Sequence, residues 1–291
     1  METPTHLNNV VAKLAAGEHV FGVFAPANPE DAMALSGSDY DLVVFEMEHS
    51  AFDVRALSHA LHYFTDRAQV AAQGNVATRI APFVRIPANG SEMNQWQAKQ
   101  VLDAGVYGVI WPHVTTVEEA RNAVASCRYP RPASADLYQP PGVRGDSPKA
   151  ASRYWGISQA EYYRRADVWP LNESGDLAVI IMCEDAAAVE NLPQILKEVP
   201  GIAGVLVGEG DLSQDLGHPR EYTHPAVQEA VASALRACQA AGVPCGIPHV
   251  NTKTVKERID EGFQFFMALY NPDYSALNVG REYAKEKGSS K

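Results

Sequence analysis

Residues 177–210 read LAVIIMCEDAAAVENLPQILKEVPGIAGVLVGEG, and their pattern decides the fold. Leu177 to Cys183 is apolar without alternation, the signature of a strand whose parallel sheet is covered on both faces. Glu184 and Asp185 close that run. Val189, Leu192, Ile195, Leu196 and Val199 then recur at helical spacing on one face. The phrase VPG stops the helix, and Ile202 begins a second buried run, IAGVLVGEG. Strand, covering helix and strand together make a β/α unit.

The same unit repeats outward in both directions. Further strand-like runs start at His19 (HVFGVFA), Tyr40 (YDLVVFEME), Ile80 (IAPFVRIP), Tyr107 (YGVIWPHV), Val243 (VPCGIPHV) and Phe263 (FQFFMALY), which brings the total to eight. Between them Met93, Trp96, Val101 and Ala104 share a helical face, as do Val227, Val231, Leu235 and Cys238. DAG, AAG and DEG stop helices before the fourth, seventh and eighth strands. Eight such units predict an α/β protein, a closed (β/α)8 barrel of TIM-barrel type, with residues 1–291 as a single domain. An open doubly wound sheet would usually have fewer strands and, for nucleotides, a glycine-rich first turn, which is missing here. One long connection, from about Tyr129 to Gly175, breaks the rhythm after the fourth unit. It is expected to rise above the barrel rim, with a helix in SQAEYYRRADVW. The last residues, about 284–291, are expected to fray.

Basic side chains number 24 and acidic ones 35, so the formal charge is 24 − 35 = −11. Such a chain repels phosphate backbones and anionic lipid surfaces, which argues against nucleic-acid and membrane partners. The N-terminus lacks a basic segment followed by an apolar one, and no stretch reaches the roughly 18 apolar residues of a membrane span. A cytoplasmic location is therefore expected. Cys127, Cys183, Cys238 and Cys245 form no C-x-x-C pair and read as reduced core residues.

Catalytic groups of a (β/α)8 barrel stand at the C-terminal ends of the strands. Those ends carry Glu46, Glu48 and His49, then Arg85, His113, Glu184 with Asp185, Glu209 with Asp211, and His249. Glu184 and Asp211 follow apolar runs on neighbouring strands and converge as hard oxygen donors for Mg²⁺ or Mn²⁺. The competing reading makes each a cap of the next helix. Arg85 ends a buried strand, where a guanidinium holds a carboxylate or a developing enolate oxygen, or else pairs with a rim carboxylate. Imidazoles titrate near neutral pH, which makes His49 the general-base candidate. His113 and His249, in the phrases WPHV and IPHV, read more readily as structural residues. None of the nine lysines falls in a predicted strand, so a Schiff-base lysine is disfavoured against a metal.

Taken in order, FEMEH, VRIP, LDAGVYGVIWPHV, EEARNAV, RYP, GVRG, ENLPQIL and VGEGDLSQDLG resemble the HpcH/HpaI aldolase/citrate lyase family, the class II pyruvate aldolases. The resemblance implies cleavage of a 4-hydroxy-2-oxo acid to pyruvate and an aldehyde, reversibly, through a metal-stabilised enolate. It implies a divalent cofactor, Mg²⁺ or Mn²⁺ with Co²⁺ as a further option, held by Glu184 and Asp211. By the same resemblance His49 is the base, Arg85 stabilises the enolate oxygen, and the backbone at Gly210 and Asp211 holds the substrate carboxylate. Asp103 matches the family aspartate that pairs with the histidine. It lies just before the fourth strand, at the far end of its own barrel from His49, so it would serve a neighbouring subunit of a homo-oligomer, a hexamer by family habit. Three positions depart from the family pattern: Met182 replaces a glutamine, Glu46 an aspartate and Glu209 a proline. Two alternatives stand beside the aldolase. One is a citrate lyase-like enzyme acting on a 3-hydroxyacyl-CoA, served by the Arg-rich Tyr129–Arg165 segment; the other is a barrel that binds an oxo acid without turnover.

Overall fold

A computed structural model describes residues 5–87, 89–268 and 274–288. Its strands are β1 Val20–Pro26, β2 Leu42–Glu46, β3 Ala81–Arg85, β4 Gly108–Trp111, β5 Val168–Trp169, β6 Leu177–Cys183, β7 Gly204–Val207, β8 Cys245–Val250 and β9 Phe265–Ala268. The order β4-β3-β2-β1-β9-β8-β7-β6 is parallel throughout. It closes where β4 pairs with β6, Gly108 opposite Ala178 and Trp111 opposite Ile181. The result is a closed eight-stranded (β/α)8 barrel in which all eight expected runs are strands. The two-residue β5 pairs only with Leu177 and Ala178 of β6 and adds no stave.

The strands form because their residues are almost wholly buried between barrel interior and helix layer: every residue of β4, β6, β7 and β9 is buried. Aromatic rings fill the space between staves. Phe265 lies against Gly246 so closely that a Cβ there would come within 2.0 Å of its ring, which is why β8 carries a glycine at that point. In the Pro225–Ala241 helix Val227, Val231, Leu235 and Cys238 are buried as expected. The Gln95–Ala104 helix corrects the reading. Its buried face is Gln97, Ala98, Val101 and Leu102, while Trp96 is exposed, edge-on to Phe52. Met93 lies outside the helix: the short turn Gly90–Glu92 ends on it at φ 53°, which resets the helical phase.

The Tyr129–Gly175 excursion also departs from expectation. Its helices Lys149–Trp155 and Gln159–Arg165 do not rise above the rim. Trp155 stacks on Tyr107 at 4.2 Å, and its indole N–H donates to the Gly105 carbonyl at 2.8 Å. Both partners precede β4, so the segment covers the N-terminal end of the barrel. Connectivity explains this, because the segment joins the Val117–Ser126 helix to the next stave, and helix-to-strand connections run at the end opposite the βα loops. The C-terminal tail is a helix, Ser275–Gly288, docked by Tyr283 donating to Asp260 at 2.8 Å and by a Lys287–Asp260 pair. Residues 284–288 of the tail expected to fray belong to this helix, and residues 289–291 lie outside the described ones. Among the described residues no helix is long and apolar enough to cross a membrane, and all four cysteines are free and buried.

Candidate active site

At the C-terminal mouth, register places Glu46 of β2 beside Arg85 of β3. Arg85 donates from Nε and Nη2 to one oxygen, Glu46 Oε2, at 2.7 and 2.6 Å, and its Nη1 lies 2.9 Å from Glu48 Oε2. The guanidinium also sits over the Phe24 ring at 4.8 Å, with Nη1 3.9 Å from the Met182 sulfur. The rim ion pair weighed for Arg85 is thus present. The other oxygen of Glu46 accepts the backbone N–H groups of Glu48 and His49 at 2.8 and 3.0 Å. One carboxylate therefore orients the guanidinium and pins the loop that carries His49.

Beside this pair lies a second group. Glu184, at 2% exposure, accepts the backbone N–H of His113 at 2.9 Å. Asp211 stands exposed in the first turn of the Glu209–Asp215 helix. His113, Glu184 and Asp211 each offer a ligand atom, all within 4.8 Å of one another. His113 Nε2 also faces Glu48 Oε1 at 3.9 Å and Glu184 Oε1 at 4.0 Å. Burial pushes Glu184 up to about 7, against the pull of His113 and with a further push from Glu48 and Asp211. Burial raises Glu48 as well. The mouth thus gathers four carboxylates, Glu46, Glu48, Glu184 and Asp211, of which Arg85 pairs with the first two, and a dication would relieve the excess. The helix-cap reading of Glu184 fails because Asp185 caps the Ala186–Glu198 helix, accepting Ala188 N–H at 2.7 Å. Gly208 completes the cradle, since a Cβ there would lie 2.2 Å from Glu184 Oε2.

A metal-fitting carboxylate group at the mouth of a closed barrel agrees with the comparisons to known proteins. The family model described as HpcH/HpaI aldolase/citrate lyase matches residues 21–269. The chain belongs to this family. A hydroxypyruvate/pyruvate aldolase of Roseovarius nubinhibens is 28% identical over 263 residues, 90% of each chain. A 5-keto-4-deoxy-D-glucarate aldolase of Salmonella newport is 31% identical over 241 residues, 82% of this chain and 81% of its own. Among solved structures, an HpcH/HpaI aldolase/citrate lyase family protein of Burkholderia cenocepacia superposes with a TM-score of 0.74 at 27% identity, covering 97% of this chain and 99% of its own. The two named enzymes are aldolases, hence carbon–carbon lyases.

Against the HpcH/HpaI expectations, the chain gathers Arg85, Glu184 and Asp211 at one mouth but leaves others apart. His49 is at the rim, its side chain 67% exposed and 3.5 Å from Glu48 Oε2, outside the ligand group. Asp103 is remote from that rim. It binds Arg144 Nη2 at 2.9 Å at the N-terminal end, and burial raises it. A Cβ added at Gly210 would meet open space. Glu209, standing where the family has proline, is buried 3.6 Å from Arg258. His249 is exposed at the mouth, at φ 60° beside Tyr222, with ring centroids 6.1 Å apart.

Two residues of the mouth were underrated by sequence reasoning. His113 joins the ligand group although its phrase suggested a structural role, and Glu48 bridges Arg85 and His113. The signal available for the first was the repeat of WPHV and IPHV; the structure adds that both histidines take positive φ, 48° and 60°, where functional residues cluster. No spacing rule announces Glu48, because its role depends on which way the loop after β2 turns.

Proposed function

We propose that the chain is a divalent-metal-dependent aldolase that cleaves a 4-hydroxy-2-oxo acid to pyruvate and an aldehyde and also runs the addition. The observation that carries this reading is the convergence of Glu184, Asp211 and His113 beside the Arg85 guanidinium. Glu184 and Asp211 would hold the ion, with His113 adjacent. Oxygen donors favour Mg²⁺ or Mn²⁺, and an imidazole adds weight to Mn²⁺ or Co²⁺. When bound, the ion supplies Lewis-acid polarisation of the 2-oxo group.

The residues of the chain supply the rest. The backbone N–H groups at Gly210 and Asp211 receive the substrate carboxylate. Arg85, held rigid by Glu46, presents its charge where the 2-oxo oxygen becomes negative, so the stabilisation requires no reorganisation. His49 takes the proton of the C4 hydroxyl. The electron pair left on the C4 oxygen then forms the carbonyl of the departing aldehyde while the C3–C4 bonding pair moves into the pyruvate enolate. Protonation at C3 completes pyruvate. Within one chain Asp103 cannot reach His49, so its proposed support of that base comes from a neighbouring copy in a homo-oligomer.

The pairing of the long segment's arginines favours the aldolase over the acyl-CoA alternative. Arg128 and Arg131 of the long segment and its flank bind Asp167, Arg144 binds Asp103, and Arg165 binds Asp176. All lie at the end of the barrel away from the mouth. The deciding experiment mixes the protein with pyruvate, an aldehyde panel and Mg²⁺ or Mn²⁺, then repeats the mixture with EDTA and with Glu184→Gln. Adduct that forms only with metal and wild-type Glu184 is expected; adduct that survives both treatments overturns the reading.

A further inference from the structure

We propose that the loop after the Asp211 helix carries a second metal site, for a transition-metal dication, built from His218, Glu221 and His224. Each offers a ligand atom, and these atoms lie within 4.8 Å of one another. The two imidazoles are neighbours, centroids 3.4 Å apart and planes 19° from parallel, so one ring has to turn out of the stack to aim its in-plane lone pair at a shared ion; His218 Nδ1 is 3.8 Å from Glu221 Oε2. No residue of this trio belongs to the mouth group.

The loop backbone brings the three residues together before any ion arrives. His218 N–H donates to the Ser213 carbonyl at 2.8 Å, Glu221 N–H to the His218 carbonyl at 3.0 Å, and His224 N–H to the Glu221 carbonyl at 2.8 Å. Arg220, at φ 59°, donates its N–H to Ser213 Oγ at 3.0 Å and turns the chain between the two histidines. A loop closed by its own backbone has little entropy left to lose on binding.

Donor chemistry selects the ion. Two imidazole nitrogens and one carboxylate suit Zn²⁺, Co²⁺, Ni²⁺ or Cu²⁺ and suit Mg²⁺ poorly. His218 and His224 are half-buried and Glu221 is exposed, which leaves a fourth position open to water. One local bond competes. His224 Nδ1 caps the Pro225–Ala241 helix by accepting Ala226 N–H at 3.3 Å. Coordination through Nε2 places the proton on Nδ1 and gives up that long bond, one weak cap set against two imidazole ligands.

The test uses full-length protein carrying Glu184→Gln and Asp211→Asn, which removes the mouth carboxylates, titrated with Co²⁺ and followed by its visible absorption. One equivalent is expected to bind, to be displaced by Zn²⁺ and to ignore millimolar Mg²⁺. His218→Ala should weaken it at least tenfold. So should His224→Asn, which keeps a good N-cap acceptor and therefore the fold, as circular dichroism would register. Absence of a bound equivalent up to millimolar Co²⁺, or affinity unchanged in both histidine variants, overturns the proposal. Because both carboxylate ligands of the mouth are already gone, neither result depends on the proposed activity.

Discussion

The backbone N–H of His113 meets Glu184 Oε1 at 2.9 Å, tying the end of β4 to the end of β6 and fixing the carboxylate at the barrel mouth. A single neutral donor leaves most of the burial penalty of that carboxylate standing, and Glu184 accordingly sits at about 7. The mouth is thus electrostatically destabilised in the absence of a cation.

That imbalance has a pH signature. The folded value of Glu184, about 7, lies above its ordinary 4.5. Its contribution to stability is complete below 4.5 and is lost as pH rises through about 7, a span worth about 3 kcal/mol. The Tm of chelator-treated protein should therefore fall between pH 5 and pH 8, and Glu184→Gln should flatten that fall. Saturating Mn²⁺ should flatten it too. Thermal scans across pH check this, and an unchanged slope in the Gln variant would count against the assignment.

Gly208→Ala is expected to damage the site through shape alone. Gly208 has φ −86°, so alanine adopts its backbone readily, but the new Cβ would lie 2.2 Å from Glu184 Oε2 and 2.7 Å from its Cγ. The carboxylate must move. Overpacking of this kind costs about 1–3 kcal/mol. Metal affinity by calorimetry should drop at least tenfold, with the far-ultraviolet dichroism preserved.

Glu46→Gln separates orientation from charge. The variant keeps an acceptor for the two loop N–H groups but loses the anion that receives both Arg85 nitrogens. Loss of an orienting partner of this type typically lowers activity about 10–100-fold. Steady-state kinetics should show the loss mainly in kcat, since Arg85 acts on charge that develops during reaction. An effect confined to KM would remove the orienting role.

Asp103→Asn tests the neighbouring-copy proposal. Weakening its bond to the buried Arg144 should cost about 1–3 kcal/mol and lower Tm. If Asp103 also supports His49 of another copy, the acid limb of the kcat/KM profile moves to lower pH. A Tm loss with an unmoved profile would leave Asp103 only its structural bond to Arg144.

Much of this molecule was written in local pattern. Non-alternating runs such as LAVIIMC can be strands only inside a covered parallel sheet, so eight of them with helices between leave little besides a closed barrel. Parallel closure then sends every strand end to one mouth, which is why Arg85, Glu184 and Asp211 were legible as a site. What the sequence could not determine were matters of direction and long-range partnership. The Tyr129–Gly175 segment goes to the N-terminal end because connectivity, and not its polar composition, decides which end a helix-to-strand link occupies. Arg85 is claimed by Glu46 and Glu48, Asp103 by Arg144, and His113 by Glu184, across separations that no periodicity encodes. Burial sets the protonation of Glu184, and burial exists only once the barrel has closed around it.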